Sequence, residues 1–264
     1  MNIVDIIAEV KSADMVLVGL GEEFDGGKRL KDSAEYVRGK ETLKESGYHW
    51  LQPAWNEFCN EKIHDDNIKN VLEKLAFLLE DKNYFVVSTA TNKTIAGIPW
   101  KKDRLVMPCG SSTKKQCKMG CSEAIENVNE EDEKLLKKYF ENLYNGILLK
   151  NEEINLGNCS ACGANMVLNN VYAENYNEAG YTEQWKMYTK WLQGTLNHRL
   201  IVLELGVSMR FPSVIRWPFE KVAYFNNKAT FIRVNENLYQ LTEELAGKGV
   251  GIPQNAIEWL KILC

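Results

Sequence analysis

Four cysteines stand as two close pairs, Cys117-Lys-Met-Gly-Cys121 and Cys159-Ser-Ala-Cys162. Two thiolates a few residues apart on a tight turn can present both sulfurs to one ion, and two such turns complete a tetrahedral S4 site. The first pair has three intervening residues rather than the commoner two, still inside the usual range. Gly120 precedes the second ligand and Gly163 follows the fourth, which eases both turns. The competing reading is four unrelated buried thiols, because free cysteine packs as a small hydrophobe. Paired spacing in a chain without secretory features favours structural zinc over disulfides. A site filled by four protein sulfurs leaves no position open for water, so any chemistry comes from elsewhere.

The second place where residue types suggest chemistry is Gly19-Leu-Gly21-Glu-Glu-Phe-Asp-Gly-Gly27, entered directly from the apolar run Met15-Val-Leu-Val18. A buried strand ending in glycines is the usual entry to a nucleotide crevice, since glycine lets the backbone approach a diphosphate closely. The G-x-G-x-x-G pattern is incomplete, with Phe24 at the third glycine position. Glu22 and Glu23 also stand where a phosphate would meet like charge. A nucleotide turn and a purely structural turn both remain open on these residues.

Composition bounds the setting. The 264 residues suffice for one large domain or a domain with a smaller module, and 45% hydrophobic with 26% charged residues is ordinary for a globular chain. A net charge of −4 gives no general basic field for nucleic acid or anionic lipid, and no apolar run approaches a membrane span. The first ten residues carry acids where a signal peptide would want lysine. Seven cysteines, with Cys59, Cys109 and Cys264 outside the paired set, suit a reducing compartment. The expectation is a cytoplasmic protein with neither nucleic-acid nor membrane partners.

The positioning elements follow from periodicity. Residues 3–12 carry Ile3, Ile6, Ile7 and Val10 on one helical face. Residues 28–64 read as loop-rich and partly helical, anchored by Trp50, Trp55 and Phe58. Asp65-Asp66 is expected to cap a helix with Ile68, Val71, Leu72, Leu75 and Leu78 inward, and residues 84–89 form the next strand. Strand, helical crossover, strand is the parallel α/β pattern. Arg104–Met107 is a short third strand. Asn129 caps a helix with four acids in its first turn, an apolar face of Leu135, Leu136, Tyr139, Phe140 and Leu143, and a stop at Gly146. Further strands are expected at 166–168, 200–205 and 229–234, with helices at 182–193, 212–225, 237–247 and 255–262. The aromatic stripe of 182–193 reads as core ahead of groove lining.

In order and spacing, these motifs resemble the NAD-dependent Sir2 deacylases (sirtuins) over essentially the whole chain. Gly19-Leu20-Gly21 is similar to the family's opening glycine turn, and Ser88-Thr-Ala-Thr-Asn92 to its TQNID strand end. Cys109-Gly110 stands where the family has His-Gly, just before the four zinc cysteines. Gly206-Val-Ser208 resembles the phosphate-holding GTS turn, and Val234-Asn235 the strand end that holds the adenosine ribose. Leu203-Glu-Leu-Gly206 and Ile215-Arg-Trp-Pro-Phe219 look closest to the macrodomain-linked branch, known for protein ADP-ribosylation.

The resemblance implies an α/β fold: a Rossmann-like parallel sheet (Sir2/DHS-like) from residues 1–108 and 164–264, and a small zinc-ribbon lobe with a helical insertion from 109–163. It implies NAD and zinc as cofactors. Cofactor contacts are expected at Gly19, Gly21, Glu22, Thr89, Ala90, Gly206, Ser208, Asn235 and Glu236. The departures fall on chemistry: Ala90 replaces the family's catalytic asparagine and Cys109 its catalytic histidine. A thiol with a pKa near ~8.5 is a poor base at neutral pH unless positive charge lowers it. ADP-ribosyl transfer to a protein is therefore expected ahead of deacylation, since it depends mainly on positioning. Cys109 would assist or merely line the pocket. Asn92 would face nicotinamide or simply cap its turn. The alternative is a module that binds NAD or ADP-ribose without turnover, as a sensor or docking partner; simple NAD hydrolysis is a third reading.

Overall fold

The computed structural model describes residues 3–63, 67–121, 124–147 and 154–263. In chain order, helix α1 (Ile3–Ser12) leads into strand β1 (Met15–Leu20), a 3-10 turn (Glu22–Asp25), and helices α2 (Gly27–Leu30), α3 (Ala34–Glu45), α4 (Gln52–Lys62) and α5 (Asn67–Leu78). Strand β2 (Asn83–Ser88), helix α6 (Lys93–Gly97) and strand β3 (Leu105–Val106) follow. Next come β4 (Gly110–Cys117), β5 (Ile125–Asn127), α7 (Glu130–Tyr144) and β6 (Met166–Asn170). The order closes with α8 (Thr182–Gln193), β7 (Leu200–Leu205), α9 (Arg216–Phe225), β8 (Ala229–Val234), β9 (Gly249–Ile252) and α10 (Ala256–Leu263). The expected cap Asp65-Asp66 lies outside the described residues, as do His64 and Cys264.

The larger sheet has the order β3-β2-β1-β7-β8-β9 with every pairing parallel. Strands β1 and β7 are buried along their whole length, which is why their sequences are nearly continuous apolar runs. One face packs Ile6 and Val10 of α1, Leu72 and Leu75 of α5, and Trp259 and Leu260 of α10. The other takes Tyr188 and Trp191 of α8 with Phe219 and Ala223 of α9. Tyr188 and Trp191 meet the Phe85 ring, so the aromatic stripe of α8 is core. The chain builds outward from β1 through β2 to β3, then returns at β7 and builds the other way. That reversal opens a crevice at the carboxyl ends of β1 and β7, where ligands of open α/β sheets bind.

A smaller antiparallel sheet, β5-β4-β6, carries the cysteine pairs. Helix α7 begins on Asn129, whose side chain accepts from the Asp132 N–H while Asp132 reaches back to the Asn129 N–H. Phe140 packs against Trp55 and Phe58 of α4. One core therefore joins Leu30, Tyr36, Trp55 and Phe58 to Leu136, Leu168, Cys117 and Cys159.

Four readings are corrected. Residues 28–64 are mainly helical rather than loop-rich, because α2 and α3 each bury few apolar positions and α4 buries the polar Glu57 and Asn60 among its apolar residues, so no clear period shows. Residues 237–247 form no α-helix. Arg216 and Arg233 take the Leu238 and Gln240 carbonyls that a helix would use, and only a 3-10 turn forms at Glu243–Leu245 before β9. The helix expected from 212 starts at Arg216. Leu135 is exposed and not on the packed face of α7. Among the described residues, no helix is long and apolar enough to cross a membrane.

Candidate functional site

The four sulfurs of Cys117, Cys121, Cys159 and Cys162 lie within 4.8 Å of one another. Separations of 3.5 Å (Cys117–Cys121), 3.6 Å (Cys117–Cys162) and 3.5 Å (Cys121–Cys159) approach the ~3.8 Å that tetrahedral bonds of ~2.3 Å to zinc require. Gly120 and Gly163 both have positive φ, 61° and 74°, and their N–H groups close the two turns onto the Cys117 and Cys159 carbonyls. The N–H groups of Ala161 and Cys162 draw the Cys159 thiol down to about 6, favouring the thiolate that metal needs. Sulfur donors in this arrangement could hold zinc.

At the crevice, the turns after β1 and β7 lock together. A Cβ on Gly21 would lie 2.2 Å from the Gly206 carbonyl oxygen, so only glycine permits the approach. Gly206 has φ 62°. Beneath these turns, Glu204 receives Arg233 Nε at 2.8 Å and Arg216 at 3.1 Å, while Arg216 donates to the Val207 carbonyl at 2.9 Å. The Glu204–Arg216 pair gives a physical role to two of the sequence stretches that carried the family resemblance. Asn235 donates to the Val207 carbonyl at 2.9 Å and accepts from Asn237 and Leu238, so its amide ties two turns together.

The remaining expected residues are placed unevenly. Ser208 N–H donates to Glu22 Oε2 at 2.9 Å, and Ala256 N–H, at the start of α10, donates to Glu23 Oε2 at 2.7 Å. Thr89 Oγ1 is buried without a partner among the described residues. Glu236 is exposed and ion-paired with Lys28. Ala90 is fully buried in the core below the crevice, and Gly19 packs under Ile215, which precedes α9, and Phe219 of α9. Asn92 caps α6 through Thr94 N–H at 2.9 Å and donates to the Phe24 carbonyl at 3.0 Å. Both of its functional groups are therefore engaged. Cys109 is buried, and burial pushes its thiol above the usual range; Glu22 and Asp25 add to the rise against Arg210.

The sequence reading missed Asp25. Its Oδ1 accepts from Thr91 N–H at 2.7 Å and from Thr91 Oγ1 at 3.2 Å, and among the described residues Oδ2 has no hydrogen-bond donor. Burial raises its carboxyl to about 7, Thr91 opposes the rise, Glu22 reinforces it, and Arg210 opposes it. Cys109 and Tyr172 both feel its charge, so Asp25 lies in the space of Cys109, one of the two replaced catalytic positions. Arg210 stacks on Tyr172 at 4.6 Å and donates to its hydroxyl at 2.7 Å. The signal available in sequence was an acid inside the glycine turn, Phe24-Asp-Gly-Gly27; nothing marked Tyr172 or Arg210.

A second buried acid, Glu57 on α4, accepts from Ser112 Oγ and Lys93 N–H, each at 2.7 Å. Burial pushes it up to about 7, against the pull of Lys93. The folded chain thus keeps a proton between pH ~4.5 and ~7 that the unfolded chain releases, so stability falls as pH rises through that window. Glu57→Gln is expected to remove this slope. Its stability advantage over the parent should grow by about 3 kcal/mol between pH 5 and pH 8. Denaturant melts at the two pH values measure it, and parallel curves would refute it.

No family model matches the chain. The fold is nonetheless that of the Sir2 proteins. A sirtuin structure determined for substrate affinity superposes with TM-score 0.61 at 12% identity, over 100% of this chain and 98% of its own. A Sir2 complex with p53 peptide and NAD+ gives 0.57 at 12% identity, covering 100% and 97%. Among curated proteins, the chain is 21% identical over 264 residues to a protein ADP-ribosyltransferase of Staphylococcus aureus (strain Mu50 / ATCC 700699), covering 93% of this chain and 82% of that one. It is 26% identical over 150 residues to a probable bifunctional ADP-ribose hydrolase/ADP-ribosyltransferase of Fusarium oxysporum f. sp. cubense, covering 51% of this chain and 23% of that one.

A dinucleotide would meet two different environments in this crevice. The Thr89 hydroxyl, buried without a partner among the described residues, suits a ribose. The Ser208 amide, by contrast, already holds the Glu22 carboxylate, so a diphosphate does not fit there while Glu22 stays.

Proposed function

We propose that this chain is a Sir2-fold, NAD-using protein-modifying enzyme that transfers ADP-ribose to an acceptor side chain and releases nicotinamide. Asp25 carries the reading. Ala90 and Cys109 cannot supply a base, whereas a cleft carboxylate at about 7, fixed by Thr91, can accept a proton at neutral pH. NAD, when bound, supplies the ribosyl group and the nicotinamide that leaves. Asp25 Oδ2 would take the proton of the acceptor group as that group becomes nucleophilic. Gly206 and Asn235 would shape the nucleotide wall, and Thr89 would meet a ribose hydroxyl. The ADP-ribosyltransferase from Staphylococcus aureus, aligned over most of the chain, supports transfer ahead of deacylation.

A second reading, binding of NAD or ADP-ribose without turnover in a sensor or docking module, is favoured by Ala90 lying in the core and by the closed hydrogen bonding of Asn92. Nicotinamide release from NAD, with mass spectrometry of candidate protein acceptors, separates the two. Release with an added mass of one ADP-ribosyl group supports the enzyme; tight NAD binding with no release supports the sensor. Cys109 is expected to contribute little, because a protonated thiol is neither base nor nucleophile. Cys109→Ser should change the release rate by less than about threefold, and a loss approaching ~100-fold would make the thiol a participant.

A further inference from the structure

The Glu22 carboxylate accepts from the Ser208 N–H, an amide of the Gly206-Val-Ser208 turn that a diphosphate would otherwise find free. Positive φ at Gly206 begins a turn whose N–H groups can face one anion, the arrangement that binds phosphates and carboxylates alike. That the turn binds an anion is visible directly, since Ser208 N–H donates to Glu22 Oε2 at 2.9 Å. Glu22 is poorly satisfied in this position. Its Oε1 is buried with no hydrogen-bond donor among the described residues, and it repels Asp25 three residues along. The nearby cation Arg210 is stacked on Tyr172 and bonded to its hydroxyl. Glu22 opens a 3-10 turn whose backbone is held where Gly21 packs on the Gly206 carbonyl, so its displacement is a movement of the Glu22 side chain alone.

We infer that Glu22 is an internal stand-in for a ligand phosphate: it occupies the Ser208 amide at rest, and a ligand bearing a diphosphate binds by displacing it. Glu22 is thereby a specificity-determining residue, because a ligand lacking a diphosphate has nothing to displace it with. The exchange trades a singly charged acceptor with one unsatisfied oxygen for a group with more charge and more acceptor atoms. The inference rests on the nucleotide reading above for the identity of the ligand, and on the carboxylate–amide bond for the anion subsite itself.

Calorimetric titration of the zinc-loaded full chain tests it, with inorganic pyrophosphate and ADP-ribose as separate probes. Glu22→Ala is expected to bind ADP-ribose roughly tenfold tighter than the parent and to bind pyrophosphate measurably more tightly. Glu22→Gln keeps size and hydrogen-bonding capacity but loses the charge; it should gain a smaller part of that affinity and guards against misfolding of the alanine variant. A shift of the Ser208 amide resonance on pyrophosphate addition to either variant would place the probe on that N–H. Tighter pyrophosphate binding without any ADP-ribose binding upholds the displaced carboxylate and sinks the nucleotide reading. Parent-like affinity of both variants for both probes, or no binding by either, overturns the inference.

Discussion

Cys159→Ser is expected to lose the zinc ion and most of the order of the smaller lobe. Cys117 and Cys159 sit inside the core that joins this lobe to α3 and α4, so the site and the packing form one unit. Structural zinc typically supplies ~10–16 kcal/mol of apparent binding energy that is also folding energy. Four thiols within 4.8 Å have no comparable attraction without an ion. Metal analysis should find one zinc per chain in the parent and little in the variant. The variant's melting temperature should fall by at least ~10 °C, given roughly 2–4 °C per kcal/mol for a chain of this size. An unchanged melt in the variant, or after chelation, would return the cysteines to the bland reading of four packed thiols.

The second large effect is expected at Asp25. Asp25→Asn keeps an oxygen for the Thr91 donors but removes the proton acceptor, so nicotinamide release should fall ~10²–10⁴-fold. ADP-ribose affinity should change by no more than a few-fold, since the variant alters neither Asn235 nor the Gly206 turn. The pH profile adds a sign. A carboxyl raised to about 7 is protonated below that value and cannot accept, so the parent's rate should rise with pH and level off above about 7. The variant's residual rate should lack that rise. An undiminished rate in Asp25→Asn would move the base elsewhere.

The fold was readable from sequence wherever burial acts on contiguous residues. Strands β1 and β7 are apolar along their whole length, and α7 carries its cap and acids in a row. Strand β4, with the polar run Gly110-Ser-Ser-Thr-Lys-Lys-Gln-Cys117, escaped because its inward groups are satisfied by partners far along the chain. Ser112 meets Glu57, and Lys115 meets Asp132 at 2.8 Å. The 237–247 segment was misread because its fate depends on Arg216 and Arg233 reaching its carbonyls, which no local pattern records.

The cysteine site was legible because its ligands come in close pairs, where turn geometry is local. The crevice was legible only in outline. The glycine turns and strand ends gather at the carboxyl ends of β1 and β7, and the groups proposed to carry the chemistry differ from those expected. Glu22 and Glu23, noted as obstacles to phosphate, turn out to fill backbone amides. Asp25 acquires its raised pKa from burial, and is fixed in place by Thr91, 66 residues away, whose donors oppose the rise; only the fold creates that juxtaposition.

The most direct test of the account is a crystal structure of the Glu22→Ala variant with NAD. The account predicts the diphosphate on the Ser208 amide, the ribose beside Thr89, and the Asp25 carboxylate facing the bond to nicotinamide. A nucleotide bound elsewhere, or bound in the crevice with Asp25 turned away from that bond, would contradict it.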